Sequence, residues 1–308
     1  MSKKLLKKAF DEMKNTTCFS LQLLQIKSKK EDVTYYSREC VLNPEGKIEM
    51  FARELADKYS KAMENDTYAS VDEYTGDVVG NVIYKLDGDN ALILEEYGKM
   101  CNVVADPDTE SCIGDTKFNA YIVLGEVEID SEIVPIKLIS MQSPMMHMTN
   151  RFLLNFEKKA FREITDPILT LKRSIDVVIL GNTVYMFTLA GENLFAMERA
   201  YKAVCNNKVN EIIECGFLTD AAMFQRIATS GSNPRRFVSY NQSRLDAMKN
   251  VRKRKKLANM FDLKLRGNEI DTNDEKTSAR LVKFLCNKAM LDPLDDSPVE
   301  VAAAKSWQ

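Results

Sequence analysis

Six basic side chains and no acid occupy the eight positions from Lys249 to Lys256, KNVRKRKK, and the chemistry open to such a run is the binding of a polyanion. Adding Arg235, Arg236, Arg244, Lys264 and Arg266 widens the stretch to eleven bases against Asp246 and Asp262, a local charge of +9 in a chain whose net charge is only −2. The remainder therefore carries about −11, and a basic stripe on an acidic protein presents itself selectively to phosphates. Placed on one helix, Lys249, Arg252, Lys253 and Lys256 fall at i, i+3, i+4 and i+7 and line one face. Arg254 and Lys255 complete the run, and Met248, Val251, Ala258 and Phe261 fall on the other side. Phe237 and Tyr240 nearby could stack on unpaired bases. The bland alternatives are a solvated helix face beside an acidic surface, or a patch lying on anionic lipid.

A second constellation could hydrolyse rather than bind. Asp176 opens an apolar strand, and Asp262 and Lys264 in FDLKL have the D-x-K spacing that puts two side chains on one strand face. Two or three carboxylates around Mg²⁺ with a nearby lysine make a metal-dependent nuclease. Acid-x-Lys triplets are common, however, and Asp176 lies more than eighty residues upstream. The plainer reading gives Asp176 a turn to orient and makes Lys264 an extension of the basic stripe. No catalytic residue, metal ligand or cofactor is assigned.

Other chemistries lack their signatures. None of the twelve glycines opens a G-x-x-x-x-G-K-[ST] loop, and G-x-S-x-G is absent. His147, in SPMMHMTN, is the only histidine, which leaves no pair of imidazoles for a metal and argues against a Ser or Cys hydrolase. Seven cysteines without a C-x-x-C pair suit reduced thiols in a cytosolic protein.

The elements that must position these residues follow from periodicity. At 308 residues the chain can form two domains, and its 45% hydrophobic and 29% charged residues describe an ordinary globular protein. The pattern predicts a helix near residues 2 to 15, a strand in CFSLQLLQIK, and a helix opened by Asn43 and Pro44 whose Ile48, Phe51, Leu55 and Tyr59 should cover a sheet. Strands are expected at GNVIYKL, FNAYIVLGEVEI and IVPIKLISM, the last two as a hairpin. ALILEEYGKMCNVV fits helix or strand equally, and ADPDTESCIGD reads as a loop. Beyond Thr165, Asp166 and Pro167, the segments ILTLK, IDVVIL and VYMFTL read as short strands, with Gly181 and Asn182 as a turn.

From Glu192 the chain is expected to be mainly helical: NLFAMERAYKAV, VNEIIECG, 220 to 229, a basic helix near 241–258, and SARLVKFLCNKAM. SGSNP is a loop and MFDLKLRG a short strand. The fold class is thus α+β, an N-terminal α/β domain over 1–150 followed by a C-terminal domain over 151–308 with a short β meander and several helices. No apolar segment reaches the roughly 18 to 20 residues of a membrane span. MSKKLLKKAF has the charges of a signal peptide but not its apolar core, so a cytosolic location and an exposed first helix are expected.

The stretches IDVVILGNTVYMFTLAGENLFAMERAY and RLVKFLCNKAMLDPLDDSPVEVAAAKSW resemble the KwaB family, the B components of the two-gene bacterial Kiwa anti-phage defence system. The resemblance covers residues from about 150 to the end and rests on no catalytic signature. It implies a cytoplasmic, antiviral protein that binds DNA as an effector and is recruited to the inner membrane through a membrane-embedded KwaA-like partner. It does not say which residues touch DNA; their assignment to Arg235, Arg236, Arg244, Lys249, Arg252, Lys253, Arg254, Lys255, Lys256, Lys264 and Arg266 follows from charge placement. A homodimer or higher oligomer would multiply weak phosphate contacts. The competing functions are a metal-dependent nuclease effector and an adaptor without DNA contact, the latter using the acidic remainder or the Met145, Met146 and Met148 loop as its surface.

Overall fold

A computed structural model describes residues 2–29, 32–40, 46–76, 80–90, 92–101, 118–141, 145–147, 154–157, 160–163 and 168–301. The chain forms two compact units, one of Met1–Glu73 with Asn81–Ala196, the other of Tyr74–Gly80 with Met197–Gln308. The division expected near residue 150 falls inside the first unit, because strands from both sides of it share one sheet.

In chain order the first unit contains α1 (Ser2–Met13), β1 (Phe19–Lys29), β2 (Asp32–Glu39), α2 (Lys47–Glu64), β3 (Ser70–Glu73), β4 (Val82–Asp87) and α3 (Leu94–Cys101). There follow β5 (Ala120–Ile129), β6 (Glu132–Ser140), β7 (Met145–His147), β8 (Leu154–Glu157), β9 (Ala160–Glu163), β10 (Ile168–Thr170), β11 (Val177–Leu180), β12 (Thr183–Met186) and α4 (Ala190–Leu194). Eight strands make one sheet in the order β2-β1-β5-β6-β11-β12-β4-β3, antiparallel except for the β3–β4 edge. The β5–β6 hairpin pairs Ile129 with Glu132 across Asp130 and Ser131, both at positive φ.

The expected meander is only partly a meander. β11 and β12 pair as the turn at Gly181 and Asn182 requires, but β11 then joins β6 and β12 joins β4. β10 pairs with β7 outside the sheet. The loop expected over 105–115, the entry at 165–167 and Met148 lie outside the described residues; His147 lies in β7.

Helix α1 buries Leu6, Ala9, Phe10 and Met13, and α2 buries Leu55, Tyr59 and Met63, spacings that keep one apolar stripe on each helix. Phe10 stacks on Tyr59 at 5.9 Å between ring centroids, and Phe187 meets both rings. Three of the four lysines of α1 point to carboxylates instead: Lys3 to Asp66, Lys7 to Asp11 and Glu64, Lys8 to Asp130. The N-terminal amphipathic helix is therefore packed into its unit rather than lying free.

The second unit contains α5 (Met197–Glu214), α6 (Ala221–Ala228), α7 (Asn233–Arg236), α8 (Gln242–Lys249), α9 (Val251–Met260), β13 (Leu265–Arg266), β14 (Glu269–Ile270), α10 (Glu275–Leu285), β15 (Ala289–Leu291) and β16 (Pro298–Glu300). Its core gathers Cys205, Val209 and Ile212 of α5 with Phe224, Leu245, Met248, Ala258, Leu281 and Phe284. Two helices expected in succession are one here, because Tyr201, Cys205, Val209 and Ile212 keep the buried face of α5 continuous past the polar Asn206 and Asn207. Asp274 caps α10 through the Thr277 amide and hydroxyl; those bonds, with Lys264, hold its pKa down at about 2.

Candidate nucleic-acid interface

The single basic helix expected near 241–258 is two helices. Asn250 breaks it: its backbone is extended at φ −83° and ψ 121°, and its side-chain oxygen accepts from the amides of Arg252 and Lys253 at 3.0 and 3.1 Å. An asparagine in that conformation ends α8 and starts α9 at once. Asn241 begins α8 in the same way. Lys249 is thereby separated from the face it was expected to share, and it pairs with Asp246 at 3.0 Å.

Within α9 the side chains sort by angle. At 3.6 residues per turn, Arg252, Lys253, Lys255 and Lys256 span an arc of about 160°, and Arg254 and Ala258 lie roughly opposite. All four of the arc are exposed and none has an ion pair among the described residues. Val251, expected on the apolar side, is 41% exposed. The four cations also crowd the end of α9 where backbone amides point outward, with no acid in the first turn. Cations there oppose the helix dipole, so the helix tolerates a mutual repulsion that an arriving anion would relieve.

Arg254 does the opposite of its neighbours. It is 6% exposed, donates from Nε to the Asn268 carbonyl at 2.8 Å and from Nη1 to the Met248 carbonyl at 2.7 Å, and lies over the Phe217 ring at 5.5 Å. Burial lowers its pKa from the ordinary arginine value. The guanidinium thus fastens α9 to the end of α8 and to the β13–β14 turn. Arg244 is held similarly by the Phe284 and Ala289 carbonyls and stacks on Phe284. Arg235 donates to the Tyr74 hydroxyl at 3.1 Å. These three arginines were expected to meet phosphate; each instead donates at least one hydrogen bond to the framework of the second unit.

The remaining basic residues have surface partners: Arg236 with Glu300, Lys264 with Asp274, Arg266 with Asp271. Such exposed pairs contribute little and exchange readily. The aromatic pair is no stacking platform, since Phe237 is buried, stacks on Tyr240, and Lys208 sits over the Tyr240 ring. The inward role of Arg254 was missed because composition does not assign a side to one base among six, although Asn250 was a legible cap.

The hydrolytic constellation is not assembled as expected. Asp262 has φ +50° and precedes β13, so it shares no strand face with Lys264, and it pairs with Arg280. Asp176 belongs to the first unit; its carboxylate accepts from the Met141 amide at 2.7 Å and the Thr188 hydroxyl at 2.6 Å, tying β6, β11 and the end of β12 together. Among the described residues, no group of three His, Cys, Asp or Glu side chains is placed to hold a metal ion. Asp176→Ala leaves the partly buried Met141 amide and the exposed Thr188 hydroxyl without this acceptor and is expected to cost about 1 to 3 kcal/mol in denaturant unfolding. A variant as stable as the parent would remove this structural role.

No curated protein and no solved structure matches the chain. A family model described as Kiwa protein KwaB-like matches residues 127–292, a span that takes in the last residues of β5, all of β6, β11 and β12, and the whole of α5 to α10 with its basic arc. That is more than half of the sequence, and the chain belongs to the KwaB-like family of Kiwa proteins, components of an anti-phage defence system.

Proposed function

We propose that this Kiwa component is a DNA-binding effector that grips phage DNA by its phosphates, largely without sequence preference, and works with a membrane-embedded partner. The observation that supports this most is the arc of Arg252, Lys253, Lys255 and Lys256, exposed and without ion pairs among the described residues, on a helix end that already favours anions. Those four make the primary contacts in this reading. Lys249, Arg236, Lys264 and Arg266 exchange a surface carboxylate for phosphate as DNA approaches, and Arg235, Arg244 and Arg254 hold the framework. No base-reading arrangement accompanies the arc, so backbone contacts carry affinity. Two copies in a homo-oligomer would add avidity without new contacts.

A gel-shift titration with duplex and single-stranded DNA in the presence of Mg²⁺ tests the reading. Retarded, intact DNA is the expected result. Cleaved DNA would establish a nuclease, and an absent shift would leave an adaptor.

Recruitment to the inner membrane is proposed to run through the partner. Among the described residues no helix is long and apolar enough to cross a membrane, and three of the four lysines of α1 are engaged with carboxylates. Expressed alone, the protein is expected in the high-speed supernatant, and with its membrane component in the pellet. Salt-resistant membrane association of the lone protein would contradict this.

A further inference from the structure

Where the β5–β6 hairpin runs past the start of β1, an open groove of about 910 Å³ lies on the first unit. Leu124, Glu126 and Glu128 alternate along β5 on the side opposite the buried Val127 and Ile129. The register sets Pro135 beside Glu126, and the 72% exposed Ile133 beside Glu128. One wall is the connection from α1 to β1, fastened where the Thr16 hydroxyl donates to the Glu126 carbonyl at 3.2 Å. Glu12 and Glu39 bring the lining to four carboxylates, and it contains no base. None of the four has an ion pair among the described residues. The cations at the border are engaged elsewhere, Lys8 with Asp130 and Arg53 with the Thr16 carbonyl.

We propose that this groove receives helix α9 of a second copy of the chain, which covers the cationic arc until DNA takes it. Displacement by DNA rests on the function proposed above; the contact between copies does not. Charge complementarity points to this occupant. The arc of Arg252, Lys253, Lys255 and Lys256 carries four exposed cations without ion pairs among the described residues, and the groove offers four carboxylates in the same condition. Shape agrees. β1, β5 and β6 are neighbours, so the floor is about 10 Å wide, close to the diameter of a helix with its side chains. The long stems of the arc can lie on Leu124, Ile133 and Pro135 while their charged ends reach the carboxylates. Val251, exposed at the start of α9, gains apolar cover from the same floor. DNA is repelled by the groove and attracted by the arc, so it competes for one side of the contact only. This is a resting contact, distinct from any pairing that presents two arcs to DNA together.

Sedimentation velocity of the full chain, at rising concentration and at low and high salt, reads the contact. Self-association is expected at low salt and should fade as salt screens the exposed charges. Glu126→Gln with Glu128→Gln should weaken it about tenfold, the loss of two exposed ion pairs. Both side chains face water, so the fold should persist. Complementation supplies the specific test. A variant with Glu126→Lys and Glu128→Lys has only its arc intact, and a variant with the four α9 cations changed to glutamine has only its groove. Each alone should sediment as a monomer, and their mixture should pair through the one intact groove and the one intact arc. A duplex too short for two chains should dissociate the parent into single chains on DNA. Absence of DNA binding would count against the proposed function and not against the self-contact, which the mixture decides. A parent that is monomeric at every concentration, association unchanged by Glu126→Gln with Glu128→Gln, or complementary variants that stay apart when mixed overturns the proposal.

Discussion

Changing Arg252, Lys253, Lys255 and Lys256 together to glutamine is expected to lower affinity for duplex DNA by on the order of a thousandfold near 0.1 M salt, with no loss of thermal stability. Four phosphate contacts release counterions with a salt exponent of about 3.6, so relative to 1 M salt they supply between three and four orders of magnitude at 0.1 M. The fold should not suffer. The four side chains carry no ion pair among the described residues, glutamine is nearly as good a helix former as lysine or arginine, and the variant removes repulsion at the cationic end of α9. Electrophoretic titration beside a thermal melt reads both. A folded variant that binds like the parent would move the interface to Arg236, Lys264 and Arg266.

Arg254→Met should act in the reverse manner, losing stability first and DNA second. Methionine keeps apolar contact with Phe217 but leaves the Asn268 and Met248 carbonyls without their donor, which is expected to cost about 2 to 4 kcal/mol in urea unfolding. Arg254→Lys should fall between, since an ammonium can reach one carbonyl but does not reproduce the planar fork. Parent-like stability of the methionine variant would mean that α9 is fixed by something else.

Local patterns made much of the first unit legible. The alternation in β5 and β6, the run in β11 and the apolar stripe of α2 each state a buried face directly. β2 escaped because its buried side reads Val33, Tyr35, Ser37, with a serine where the pattern wanted an apolar residue. β3 is four residues of SVDE and carries almost no apolar signal. The ambiguous stretch after Asn90 resolves as α3 over Leu94–Cys101. Pairing of β4 with β12 joins residues about a hundred positions apart, and no local pattern specifies such a partner. That is also why the boundary read near 150 does not coincide with the compact units.

The interface was legible as composition and only half legible as geometry. Charge density located the stripe, but a count of bases cannot separate Lys255, which faces water, from Arg254, which faces Phe217. Tertiary carbonyls decide that, and they come from Met248 and from Asn268 in the turn beyond β13. The cap at Asn250 was written in the sequence, in KNVRKRKK, and it takes Lys249 off the face that it was expected to share with Arg252, Lys253 and Lys256, while Lys255 joins them on α9.

The salt dependence of DNA affinity therefore tests the central claim most directly. Between 50 and 200 mM salt, binding of the parent protein should weaken at least about a hundredfold, with a log–log slope of at least about −3.6 per chain from the four α9 contacts and steeper as the flanking cations take phosphates, and the slope should flatten by about 3.6 in the variant with the four α9 cations neutralised. A flat response in the parent protein, or an equally steep one in that variant, would contradict it.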